Sequence, residues 1–145
     1  MKTTIRELAS LAGKRLVKDR RHLHANPELS FHEYNTSSYI KACLDELGIT
    51  WQPMAETGVV ALIRGELPGD QVVALRADID ALAITEQTGL DFSSTQPGVM
   101  HACGHDAHTA SLLGLAFIIS SMRPRFGGTV KLIFQPGEEK LPGGA

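Results

Sequence analysis

Cysteine and histidine are scarce in this chain of 145 residues, at two and six copies, so their positions carry information. Two cysteines are too few to staple a disulfide scaffold. The N-terminus, Met1-Lys2-Thr3-Thr4-Ile5-Arg6-Glu7, is amphipathic and lacks the apolar core of a secretory signal. Reduced thiols in a cytoplasmic protein are therefore expected. Long hydrophobic runs are missing as well: the longest, residues 112–119, contains Gly114 and is far too short to cross a bilayer. Nor is there an excess of either charge. The 14 basic and 16 acidic residues are interleaved, for a net charge of −2, which leaves no electrostatic footprint for nucleic acid or an anionic membrane. Arg20-Arg21 and Arg123-Pro124-Arg125 are expected to face solvent. No internal repeat or low-complexity linker divides the chain.

The length and near-average globular composition suit one ordinary domain with a real core. Ile5, Leu8, Ala12 and Leu16 recur at helical spacing and predict an amphipathic helix over residues 4–25, ended by Asn26-Pro27. A second helix is predicted over residues 33–47, with Ile40, Cys43, Leu44 and Leu47 on one face and Gly48 as its stop, which puts Cys43 in the core. The β-branched runs 59–63 and 72–75, joined by Gly65-Glu66-Leu67-Pro68-Gly69-Asp70, predict an antiparallel hairpin. A polar loop over 85–99, a largely buried helix over 107–122 and a strand over 129–134 complete the pattern. The expected class is α/β, a mixed sheet flanked by helices.

Half of the histidines and one cysteine fall in His101-Ala102-Cys103-Gly104-His105-Asp106-Ala107-His108. Imidazole and thiolate suit a borderline-soft divalent cation such as zinc, and Gly104 lets the backbone bend so that its neighbours can face one site. Taken singly, Cys103 reads as a small buried hydrophobe and each histidine as an ordinary hydrogen-bonded residue. A partner motif changes the balance. Glu138-Glu139 follow the last strand, and adjacent carboxylates at a buried strand end are costly without a cation. Pro136-Gly137 breaks the strand alternation and allows both to turn to one site, one onto the metal and one beside its water. In Arg76-Ala77-Asp78-Ile79-Asp80, a carboxylate after a strand could orient a ligand histidine through its second nitrogen. The plainer reading, that Asp78 and Asp80 cap a turn, is preferred for Asp80.

Four segments together resemble the M20 metallopeptidase family, in its amidohydrolase branch of N-acyl-amino-acid, hippurate and indole-acetyl-amino-acid hydrolases. They are the stretch from Arg21 to Phe31, that from Leu75 to Leu82, that from His101 to Ala110, and Phe134-Gln135-Pro136-Gly137-Glu138-Glu139 with Pro142-Gly143-Gly144-Ala145. The resemblance implies Cys103, His105 and Glu139 as metal ligands, with the thiolate able to bridge two ions. It implies Glu138 as general base and Asp78 as a supporting carboxylate. His101 and His108 belong to the motif without being ligands, and structural or substrate-side roles are expected for them. Ala83 stands where many relatives have proline and Ala107 where many have glycine, and neither change touches a ligand.

The implied reaction is hydrolysis of the amide bond of an N-acyl amino acid by a metal-activated water, with two ions of zinc, manganese or cobalt in the complete enzyme. The expected partner is a small-molecule substrate, with no nucleic acid or membrane, and a full-length relative is expected to form homo-oligomers. Because the chain stops soon after its last motif, residues 1–145 are expected to be a partial catalytic domain without its C-terminal part or the lid and dimerisation domain. An exposed apolar sheet edge, weak or no catalysis by the chain alone and a tendency to associate are expected with it. The alternatives are a catalytically inactive metal-binding module that needs a partner chain, and a Cys103-His105 thiol hydrolase, which leaves Glu138-Glu139 without a role.

Overall fold

The computed structural model describes residues 4–144; residues 1–3 and Ala145, the last of the 142–145 motif, lie outside the described residues. Helix α1, Ile5–Ala25, starts at a capping box. Thr4 Oγ1 accepts from the Glu7 amide at 3.3 Å and Glu7 Oε2 accepts from the Thr4 amide at 2.6 Å, satisfying two amides that the first turn leaves unpaired. Its buried stripe includes Leu8, Ala12 and Leu23. Helix α2, Tyr34–Glu46, has no side-chain cap at its N-cap residue, Glu33. Glu28 supplies the missing acceptor from outside, taking the amides of Asn35 at 3.1 Å and Thr36 at 2.7 Å. Helix α3, His105–Ser121, begins two residues earlier than predicted. It packs on α1 with Gly114 beside Leu16, where an added Cβ would lie 3.3 Å from Leu16 Cδ1.

The four strands are β1, Thr50–Met54; β2, Gly58–Arg64; β3, Leu67–Asp78; and β4, Gly127–Gln135, in the order β1-β2-β4-β3. The predicted hairpin between 59–63 and 72–75 does not form. Strand β4 enters between these runs, antiparallel to β2 and parallel to β3. Backbone proximity makes this possible: a Cβ on Gly127 would collide with the Pro68 carbonyl, and one on Gly128, at φ +82°, with the Gln71 carbonyl. Glycine at both positions lets β4 slip past the 65–70 connection. Helix α3 is then the crossover that joins parallel β3 and β4. Strand β1 has no alternating pattern and carries Pro53, which an edge strand tolerates.

The core lies between α2, α3 and one sheet face, with Ile40, Leu44, Val59, Ile63, Leu113, Leu132 and Phe134 almost fully buried. Cys43 joins it as expected. Strand β3 is the other edge of the sheet and leaves Val72 and Val73 more than half exposed. Residues 85–99 carry no helix or strand, as the polar composition suggested. Among the described residues, no helix is long and apolar enough to cross a membrane.

Candidate metal centre

Parallel pairing puts the C-terminal ends of β3 and β4 on one edge of the sheet, and the crossover returns the start of α3 to the same edge. Such edges collect ligands in open α/β sheets. Gly104, at φ +85°, makes the left-handed turn that sends the chain into α3 and leaves Cys103 and His105 on either side of it. Cys103, His105 and Glu139 each bring one ligand atom within 4.8 Å of the others. His105 Nε2 lies 3.8 Å from Glu139 Oε1 and 3.9 Å from Glu138 Oε2. Glu138 is the more open of the two carboxylates, with 39% of its side chain exposed against 21% for Glu139. Asp78, His105 and His108 form a second group within the same limit.

The carboxylate that orients His105 is Asp80, not Asp78. His105 Nδ1 donates toward the Asp80 carbonyl at 3.0 Å and Asp80 Oδ1 at 3.1 Å, which leaves Nε2 with its lone pair facing the site. Asp80 Oδ2 accepts from Ser30 Oγ at 2.7 Å and the Glu139 amide at 2.9 Å. Burial opposes the Asp80 charge, but these donors outweigh it and bring its pKa down to about 2. The hydrogen bond to Asp80 in turn raises the His105 pKa. Asp78 instead accepts from Arg76 Nε at 2.8 Å, and its carbonyl accepts from Thr109 Oγ1 at 3.0 Å. Strand β3 ends at Asp78, so its alternation does not carry on to Asp80. Beyond Ile79, which is fully buried in the core, the chain leaves the strand and takes Asp80 into the interior beside His105, while Asp78 stays partly exposed at the strand end.

The loop carrying the glutamates is fastened by Glu33, which is fully buried. Its carboxylate accepts from the Gly137 amide at 2.8 Å and Thr57 Oγ1 at 2.7 Å. Glu33 thus braces the Glu138-Glu139 loop directly, while Ser30 acts one step back by holding Asp80 Oδ2, which accepts the Glu139 amide. Ser30 lies in the stretch from Arg21 to Phe31, which only the family resemblance singled out. Nothing in the local pattern of Glu33 signals the contact, which spans 104 residues.

A second buried network steadies the start of α3. His24 Nδ1 is 2.7 Å from Asp106 Oδ2, and its Nε2 is 3.1 Å from Glu86 Oε1. Arg20 Nε pairs with Asp106 at 2.9 Å, so Arg20 does not simply face solvent. His101 is 5% exposed, and neither ring nitrogen has a partner. Burial lowers its pKa to about 4. It is an interior residue, whereas His108 is exposed beside Asp78.

The Cys103, His105 and Glu139 set suits a divalent cation. Glu139 Oε1 is buried with no hydrogen-bond partner, an expensive state for a carboxylate oxygen and one that a cation relieves. The nearby Cys103 thiol has its pKa raised, chiefly by the Glu139 carboxylate, with burial and the charges of Glu138 and Asp78 adding to the effect. Negative potential therefore accumulates where thiolate, imidazole and carboxylate converge, and the donor set matches zinc or a similar borderline ion.

Residues 74–145 match the model of peptidase family M20/M25/M40. The chain belongs to the M20 peptidase family. It is 54% identical over 131 residues to an N-acetyl-L-cysteine deacetylase of Bacillus subtilis, covering 90% of this chain and 31% of that protein. An N-acyl-L-amino acid amidohydrolase of Geobacillus stearothermophilus is 46% identical over 145 residues, with 99% of this chain and 39% of the relative covered. The solved structure of a Bacillus subtilis protein, described as a dinuclear metal-binding peptidase of the M20 family, superposes with a TM-score of 0.87 at 48% identity. It covers 92% of this chain and 38% of that one. The chain spans about a third of the length of the curated relatives it matches.

Proposed function

We propose that this chain carries part of the catalytic domain of a divalent-metal-dependent hydrolase acting on the amide bond of small N-acyl amino acids. The observation that carries the reading is the convergence of Cys103, His105 and Glu139 around the partnerless Glu139 Oε1, with Glu138 alongside. Similarity to an N-acyl-L-amino acid amidohydrolase supports the substrate class. Cys103, His105 and Glu139 would hold the ion, which supplies Lewis acidity toward the amide carbonyl and makes water a better acid. Two ions of zinc, manganese or cobalt are proposed for the complete centre, supported by the dinuclear description of the similar M20 peptidase.

Glu138 is proposed as the base. Its carboxylate takes the proton of the attacking water and delivers it to the leaving amine nitrogen, and its greater exposure leaves it open to substrate. Asp80 holds the His105 ring in one orientation and tautomer, while Glu33 fixes the glutamate loop. Cys103 is poorly suited to be a nucleophile, because neighbouring carboxylates raise its pKa whereas a reactive thiol needs it lowered. The exposed β3 edge favours a second form of the same reading, in which these residues need the remainder of a longer chain or a partner chain to turn over substrate.

The test is metal analysis beside hydrolysis of N-acyl amino acids. Metal retained in Glu138→Gln with activity reduced about 10²–10⁴-fold is the expected result. Chelator-reversible turnover by the 145-residue chain supports activity in this part alone, and bound metal without turnover supports the need for further chain. Normal hydrolysis by Glu138→Gln would remove Glu138 as the base. Metal-independent, alkylation-sensitive turnover would replace the reading with a thiol mechanism.

A further inference from the structure

Asp78, His105 and His108 place one ligand atom each within 4.8 Å of one another, outside the Cys103 group except for the shared His105. His105 and His108 stand three residues apart in the first turn of α3, so helical geometry puts them on neighbouring positions of one face. Their ring centroids are 5.6 Å apart with the planes tilted by 32°. Asp78 is anchored opposite them, because its carbonyl accepts from Thr109 Oγ1 at 3.0 Å and ties the end of β3 to the same helical turn. A depression lined by Leu75, Arg76, Asp78, His108 and Ser111 opens this side to solvent.

The shared residue decides how the two groups relate. His105 Nδ1 is committed to Asp80, so only Nε2 is available to a metal. That nitrogen has one lone pair in the plane of its ring and binds one ion at a time. We propose that Asp78, His105 and His108 form an alternative divalent-cation site that competes with the Cys103, His105 and Glu139 site for His105 Nε2.

Two imidazoles and a carboxylate without sulfur make a harder donor set than the thiolate group. Arg76 pairs with Asp78 at 2.8 Å and offsets part of its charge, so the alternative is the weaker site. An ion seated there takes His105 away from Cys103 and Glu139. The two groups together therefore hold one ion through His105 rather than two. The proposal goes beyond the hydrolase reading and does not depend on turnover.

The experiment is titration of the metal-free 145-residue chain with Co²⁺, followed by bound-metal stoichiometry and absorption. A thiolate-to-cobalt charge-transfer band reports Cys103, and the weaker visible bands report cobalt in either site. The wild type should develop the thiolate band, and His108→Ala should leave that titration unchanged. Cys103→Ala/Glu139→Gln should still bind one cobalt, without the thiolate band and at least about tenfold more weakly. Adding His108→Ala to that background should weaken cobalt binding by at least another tenfold.

Circular dichroism checks that each variant is folded, and His108 is exposed, so its removal leaves the core untouched. Loss of all cobalt binding in folded Cys103→Ala/Glu139→Gln would overturn the alternative site. So would binding in that background that ignores His108→Ala, or two wild-type ions that both need His105. Failure of the Cys103 group reads differently: the thiolate band is missing from the wild type while His108-dependent binding persists.

Discussion

Replacing Asp80 with asparagine tests the support of His105 with little change in volume. The carboxylate meets donors on both sides: His105 Nδ1–H at Oδ1, and Ser30 Oγ–H with the Glu139 amide at Oδ2. Asparagine has one acceptor oxygen and one NH₂ group, so one side must face a donor. If the amide turns its NH₂ toward His105, only the Asp80 carbonyl still accepts from Nδ1, and the opposed NH₂ favours moving the proton to Nε2, where it costs the site its lone pair. In the other orientation, the buried Glu139 amide loses its acceptor and the glutamate loop loosens.

An unmet buried amide costs about 1–3 kcal/mol. Loss of a partner that orients a metal-bound histidine typically weakens metal affinity about 10–100-fold, or about 1.4–2.8 kcal/mol. Zinc affinity, measured by competition with a chromogenic chelator, should fall by that factor in Asp80→Asn, and the urea midpoint of the metal-free chain should also fall. A folded variant with affinity within about twofold of wild type, well short of that range, would refute the inference that Asp80 orients His105 for a metal.

The Asp80 carboxylate also makes a pH-dependent contribution. Its pKa of about 2 in the folded chain lies below the ordinary 3.8, so its stabilisation, about 2 kcal/mol, is fully present above that ordinary value and lost as pH falls toward 2. Urea unfolding of metal-free wild type and Asp80→Asn from pH 5 downward should show this component only in the wild type. His24→Ala should lower stability by about 1–3 kcal/mol in urea unfolding, because it removes a buried hydrogen-bond partner of Asp106 and Glu86; a loss well below about 1 kcal/mol would show that Arg20, with the Ser94 amide and Thr88 at Glu86, suffices. Val73→Lys, at an exposed position on the β3 edge, should suppress concentration-dependent association in sedimentation velocity, and unchanged association would exclude that edge as its cause.

The three long helices were legible because each carries its own local signals. Thr4 and Glu7 mark the start of α1, Asn26-Pro27 its end, and Gly48 the stop of α2. Strand β1 escaped detection because Thr50–Met54 is exposed and short, with a proline in it. Its pairing with β2 holds it in place, rather than any periodicity of its own. The hairpin error has a related origin. Two apolar runs joined by turn residues look locally like neighbours, and their separation by β4 depends on glycines more than fifty residues away.

The same division runs through the candidate centre. The donor types and their clustering are properties of the sequence: thiol, imidazole and carboxylate side chains occupy two short segments, and those groups are the kinds that suit a borderline divalent ion. Which carboxylate serves which ligand was decided by the tertiary structure. Asp80 supports His105 and Asp78 turns beside His108 because a strand end, a helix start and the Glu33-braced loop meet at one edge of the sheet. Strand and helix periodicity fix a side chain's face within its own element, whereas distances between elements arise only when the crossover closes and the core packs.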